Sequence, residues 1–166
     1  MNNKEFIIGK LKESDFAKLF SNSTSSTTEE DIHEHWDLNI ETKIDVKGLK
    51  KRRRNDEFVD ETIHWVEIKN VNGDNGWLYG DCDFFAFELY NYWIIVDKIR
   101  LQEYVAKNTI KEYAKIPMIN KLYKRKERKD IMTLISSIDL IYMSSAMIKK
   151  NNSDVRDSRT NIKNEQ

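Results

Sequence analysis

A single cysteine, Cys82, stands among 166 residues. No internal disulfide can form, and stability must come from an apolar core, as is usual in a reducing compartment. The 28 basic and 28 acidic residues cancel to a formal net charge of zero, so overall charge supplies no attraction to nucleic acid or to a membrane. No apolar run approaches the roughly 18 residues of a membrane-spanning helix, and the N-terminus lacks a continuous apolar stretch of the secretory kind. The expectation is an intracellular, cytoplasmic protein with no membrane partner. Glycine is scarce, at five residues, and forms neither a dinucleotide nor a phosphate-loop pattern. His33, His35, His64 and Cys82 are zinc-ligand types, but their spacing fits no structural zinc pattern.

What is present suits one folded domain. The length allows one core, and the 39% hydrophobic and 34% charged fractions fit a globular body with a heavily charged surface. The polar stretch Asn22–Thr28 separates a short helix predicted over Ser14–Phe20 from the rest of the chain, giving an N-terminal unit over 1–28. Thr28 ahead of Glu29, Glu30 and Asp31 suits a helix start. From Trp36 the period turns to two, predicting strands over 36–40 and around 44–46, then a charged solvent loop over 50–61 and a strand over Ile63–Val71. Asn72–Gly76 is a turn. Asp83–Leu89 and Tyr92–Asp97 read as a hairpin, Lys98–Lys107 as a helix, and Ile131–Ile135 as a strand followed by an apolar stretch over 140–148. The main domain spans 29–148, and 149–166 has too little to bury and reads as a disordered tail.

The chemistry concentrates on two strands. In Trp65-Val66-Glu67-Ile68-Lys69-Asn70, Glu67 and Lys69 share one face while Val66 and Ile68 share the other. In Lys43-Ile44-Asp45-Val46-Lys47-Gly48, Asp45 lies opposite Ile44 and Val46. An aspartate on one strand and Glu-x-Lys on a neighbour could hold a hard divalent cation, with the Ile68 carbonyl completing part of its shell and waters and a phosphate taking the rest. Lys69 would then orient or help deprotonate the attacking water. The bland reading of Glu-x-Lys is a surface ion pair, contributing under about 1 kcal/mol. Two basic blocks, KGLKKRRR over 47–54 and KLYKRKERK over 121–129, are dense enough to neutralise phosphates, or else are solvated faces. Lys47, Lys50, Arg52, Arg53, Arg125 and Arg128 are the phosphate-contact candidates.

These residues resemble the PD-(D/E)XK nuclease superfamily, on Asp45 in KIDVKG and on Glu67 and Lys69 in WVEIKN. Phage-type members are the most similar, through His35-Trp36-Asp37, Asp45–Gly48, Trp65–Asn70, Gly76–Gly80, Asp83–Glu88 and the YKRKERKD block over Tyr123–Asp130. The proline of the formal motif is absent, since Ile44 precedes Asp45. The resemblance implies an α/β fold of the restriction-endonuclease-like type, a mixed sheet flanked by helices, and an Mg²⁺-dependent endonuclease (Mn²⁺ substituting) acting on DNA. It implies Asp45 and Glu67 as metal ligands and Lys69 as the catalytic lysine. A further acid often comes from the first helix; Glu30, Glu34 and Asp37 are candidates, with Asp37 preferred. The substrate is open among a branched junction, a damaged duplex and a specific sequence. Junction resolution would call for a homodimer, and a viral member would act in the host cytoplasm. The rival readings are a non-catalytic nucleic-acid-binding module and a viral interaction protein.

Overall fold

Alternation of apolar and polar residues, rather than helical spacing, governs most of the chain, and the outcome is a sheet-rich α/β architecture. The structure, a computed structural model, describes residues 3–20 and 23–150. In chain order the elements are α1 (Asn3–Ala17), β1 (Thr24–Ser25), α2 (Thr28–His33), β2 (Leu38–Asn39), β3 (Lys43–Lys47), β4 (Ile63–Lys69), a 3-10 turn (Trp77–Tyr79), β5 (Phe84–Glu88), β6 (Tyr92–Asp97), α3 (Lys98–Asn108), β7 (Ile110–Tyr113), β8 (Lys121–Leu122), β9 (Ile131–Ser136), α4 (Ser137–Met143) and β10 (Ala146–Lys149). A mixed six-stranded sheet runs β1-β2-β3-β5-β6-β10; β4 pairs with β9, and β7 with β8. Within the large sheet only β3 and β5 are parallel. No helix of the described residues is long and apolar enough to cross a membrane.

The large sheet is covered on both faces, which is why β5 and β6 read as almost unbroken apolar runs. On one side Phe85, Phe87, Ile94 and Val96 pack with Leu101 and Val105 of α3, Leu140 of α4, Val66 of β4 and Ile135 of β9. On the other, Phe16 of α1 meets Ile44, Trp93 and Ile95, with the Phe16 and Trp93 rings edge to face at 5.0 Å. Each large side chain so buried contributes about 1.5–3 kcal/mol. Strand ends double as helix caps. Asp97 accepts from the Arg100 N–H at 3.0 Å, and Ser136 from the Asp139 N–H at 3.1 Å, so β6 and β9 pass into α3 and α4 without a loop. Thr27 and Glu30 form a reciprocal capping box at the start of α2.

Several boundaries differ from expectation. The first helix runs from Asn3 to Ala17 instead of over 14–20, and its fully buried Phe16 makes it part of the core, not a separate leader. Asn22, the first residue of the predicted linker, lies outside the described residues, as does residue 21 before it. β4 stops at Lys69 because the Asn70 side chain accepts from the N–H groups of Asn72 and Asp74, closing the turn. The apolar stretch 140–148 divides into α4 and β10, with Ser144 and Ser145 between them. The predicted tail begins too early: Lys149 belongs to β10, and Lys150 is buried, its ammonium 2.7 Å from Glu88. The rest of that tail, 151–166, lies outside the described residues.

Candidate active site

β2 and β3 form an antiparallel hairpin with Leu38 opposite Ile44, which sets Asp37 beside Asp45. The Asp37 N–H donates to the Ile44 carbonyl at 2.9 Å, and its side chain accepts from the Val46 N–H at 2.6 Å. Both acids are buried, at 5% and 3% exposure. The two carboxyl groups are close enough for each to bear on the other's titration. One Asp45 oxygen faces the Lys47 ammonium at 2.5 Å; the other, Oδ2, is buried and receives no N–H or O–H. Lys47 also stands 4.4 Å from the centre of the Trp77 ring, a cation–π distance.

Burial and Asp37 push the Asp45 carboxyl up to about 8 against the pull of Lys47. Asp37 is raised as well, chiefly by burial. Burial would lower Lys47, but Asp45 and Asp37 outweigh it and hold the ammonium above its ordinary range. An unpaired buried charge is costly, so burial favours the neutral form of both acids, and Lys47 offsets the charge of Asp45.

Further groups ring this centre. Glu13 of α1 bonds Lys10 at 2.7 Å, and burial together with the nearby Asp37 raises its carboxyl. His35 closes α2 in the left-handed region at φ 57°, a conformation costing about 1–2 kcal/mol for a residue with a Cβ. Burial and Lys47 lower its imidazole, while Glu67, Asp31 and Asp37 oppose that shift. Gly80 makes the contact feasible, since a Cβ there would stand 2.6 Å from the Cβ of His35. Gly76 does the same at β4, where a Cβ would overlap the Glu67 carbonyl oxygen.

β3 and β4 are not sheet neighbours: β3 lies between β2 and β5, and β4 pairs with β9. Glu67 is half-buried and lies close enough to His35 to bear on its imidazole. Lys69 is exposed beyond a register shift in β4, and among the described residues its ammonium makes no ion pair. The Ile68 carbonyl is taken by the Gly76 N–H at 3.0 Å. Of the three candidate helix acids only Asp37 reaches the centre; Glu30 caps α2, and Glu34 binds Lys43 at 3.0 Å.

The two basic blocks meet around Trp65. Its indole N–H donates to the Lys51 carbonyl at 3.1 Å, and its ring lies 5.9 Å from Tyr123. A pocket is lined by Lys47, Gly48, Lys50, His64, Trp65 and Trp77, so Trp65 and the Asp45-bound Lys47 share one opening. Lys50, Arg53 and Arg128 are exposed, Arg52 sits 3.4 Å from Asp60, and Arg125 is 2.6 Å from the fully buried Asp130, which anchors the second basic loop.

No three His, Cys, Asp or Glu side chains among the described residues are grouped to hold a metal. Two carboxyl groups in contact, one with a buried oxygen lacking a donor, still suit a hard cation that keeps several waters and takes further oxygens from a phosphate. Comparison with protein-family models, with curated proteins and with solved structures finds no match.

The role of Lys47 had a sequence signal, because Asp45-Val46-Lys47 carries the same acid-x-lysine spacing as Glu67-Ile68-Lys69. Glu13 had none, lying far upstream on a helix with no acidic pattern that singles it out.

Proposed function

We propose that this chain is an Mg²⁺-dependent endonuclease that hydrolyses DNA phosphodiester bonds, with its centre at Asp37, Asp45 and Lys47. The buried Asp45, one oxygen on Lys47 and the other without a donor, is the observation that carries the reading. The order acid, acid-x-lysine on one hairpin, with Glu13 on the first helix, resembles the PD-(D/E)XK arrangement more closely than the Glu67–Lys69 pair does. A mixed sheet with α1 on one face and α3 and α4 on the other supports the restriction-endonuclease-like architecture.

Asp37 and Asp45 would hold Mg²⁺ or Mn²⁺, which when bound lowers the pKa of a water and offsets charge on the phosphate. Asp45 must first lose the proton it keeps up to about pH 8. Lys47, released from Asp45, is placed to orient the attacking water and stabilise the charge gathering on the phosphoryl oxygens. Water then bonds to phosphorus, the P–O bond to the leaving sugar oxygen breaks, and that oxygen takes up a proton. Trp77, its ring centre 4.4 Å from the ammonium, steadies Lys47 by a cation–π contact. Lys50, Arg53 and Arg128 supply cations along the approach to the site.

Cleavage of labelled linear, nicked and four-way-junction DNA with Mg²⁺ or Mn²⁺ tests this reading. Wild type should cut, and Asp45→Asn should lose at least about 100-fold in rate. Binding without cutting in wild type would sink it and point to a non-catalytic nucleic-acid-binding module.

A further inference from the structure

The two-stranded sheet of β4 and β9 has faces of different character. His64 and Val66 pair with Ile135 and Thr133, all four are buried, and Val66 and Ile135 belong to the main core. On the opposite face Trp65 pairs with Leu134 and Glu67 with Met132, since direct cross-strand partners share a face. Tyr123, just after β8, bridges Met132 from the other side of β9. Trp65 and Tyr123 therefore flank β9, and their rings meet across it with 5.9 Å between centres, inclined at 52°. Leu134 on the same face is fully buried, but both rings keep part of their surface in solvent.

Each ring sits where a basic segment begins. The Trp65 indole N–H is held by the Lys51 carbonyl at 3.1 Å, just ahead of Arg52, Arg53 and Arg54, and Tyr123 is followed by Lys124, Arg125 and Lys126. Lys51, Arg53, Arg54, Lys124, Arg128 and Lys129 are exposed, and among the described residues none of them is in an ion pair. Several acids of these segments are spent on shaping the loops. Asp56 accepts from the Arg53 N–H at 2.7 Å, Asp60 from the Thr62 N–H at 3.0 Å, and the buried Asp130 lies 2.6 Å from Arg125. Glu67 is the one acid on the Trp65 face of β4, and the cations outnumber it.

Partly exposed rings among unpaired cations match what an unpaired nucleic-acid strand offers, a π face on every base and a negative charge on every phosphate. An intact duplex keeps its base faces inside its own stack. We propose that Trp65 and Tyr123 are a stacking platform for unpaired bases of a DNA strand, whose phosphates run along the basic segments at 51–54 and 124–129. The pinned indole has little rotamer freedom left to lose on binding. Trp65 also lines the opening that contains Lys47, which is bound to Asp45, so a strand stacked on Trp65 has its backbone beside the proposed centre. The inference rests on the nuclease reading for that placement. It narrows the substrate to DNA with a single-stranded stretch, such as a flap or a splayed junction.

Fluorescence anisotropy tests it with a labelled oligothymidine of about 15 nucleotides and a blunt duplex of the same length, in EDTA so that no cutting intervenes. Wild type should bind the single strand at least about 10-fold more tightly than the duplex. Trp65→Leu should weaken single-strand binding at least about 10-fold and Tyr123→Leu at least about threefold, whereas Trp65→Phe, which keeps a π face, should stay within about threefold of wild type. Wild type irradiated on a strand carrying iodouracil should cross-link through Trp65 or Tyr123, a readout that does not depend on how any variant folds. Equal affinity for strand and duplex, a Trp65→Leu protein that binds as wild type does, or cross-links confined to other residues would each overturn the proposal. Cutting of DNA under Mg²⁺ by a protein that fails these tests would leave the nuclease reading and remove the platform; a protein that passes them without cutting would keep the platform and lose the nuclease.

Discussion

Asp45-Val46-Lys47 and Glu67-Ile68-Lys69 are one pattern written twice, an acid and a lysine two residues apart on a strand, and the fold treats them in opposite ways. On β3 the pair is drawn inside: Asp45 is 3% exposed, and Lys47 lies against it and over Trp77. On β4 the lysine is exposed past a register shift, and the acid is half-buried. Identical spacing therefore carries no fixed chemistry. Desolvation makes the difference, because the same two charges that water screens at a surface perturb each other strongly inside.

The largest effect should separate the two lysines. Lys47→Met keeps an unbranched side chain and removes the ammonium with its contacts to Asp45 and Trp77; cleavage by the proposed centre should fall at least about 100-fold. Lys69→Met should stay within about threefold of wild type. Equal losses in a rate assay would erase the contrast between the strands.

Asp45 makes the contrast visible in stability. Unfolded, its carboxyl titrates near 3.8; in the fold burial raises it to about 8. The protonated form is favoured in the fold, so this stabilisation is complete below about pH 4 and drains away as pH rises through 8. Thermal melts without metal should show wild type losing about 5–10 °C between pH 5 and pH 9, with Asp45→Asn much flatter over the same window. Parallel curves would mean that Asp45 is not buried as a neutral acid.

Glycines test how closely each motif is packed. Gly76→Ala drives a Cβ towards the Glu67 carbonyl oxygen, and Gly80→Ala drives one towards the Cβ of His35. Each should cost about 1–3 kcal/mol in denaturant unfolding, with Gly76→Ala the worse because its obstacle is main chain.

The smallest effect belongs to His64, buried against Phe87 with Nε2 unpartnered. Burial lowers its imidazole from 6.5 to about 4, so stability from the neutral form is full above about pH 6.5 and is lost as pH falls through 4, opposite in slope to Asp45. His64→Leu removes the orphan nitrogen and should gain about 1 kcal/mol, with a flatter acid limb in the same melts.

Much of the β5–β6 hairpin and β9 was legible as apolar runs bounded by a polar turn or a cap, and α3 through the helical spacing of Ile99, Leu101, Tyr104 and Val105. That Asp37 lies next to the Asp45 strand was legible, as was Asp45 facing away from Ile44 and Val46. β7 and β8 were not, because they are short and polar and are held by pairing rather than by burying a face. The N-terminal helix was read too short because only Phe16 and its neighbours bury, while Ile7, Ile8 and Leu11 stay exposed.

By itself the sequence determined local matters: which runs alternate, where turns and caps fall, and that each acid-x-lysine pair shares one face of its strand. Those follow from backbone geometry over a few residues. Only the tertiary structure decided which pair was desolvated, that Asp37 and Asp45 are buried side by side, and that Glu13 of α1 approaches Asp37. Strand order and helix docking are set by contacts between segments far apart in the chain, and the strength of a charge depends on the water those contacts exclude.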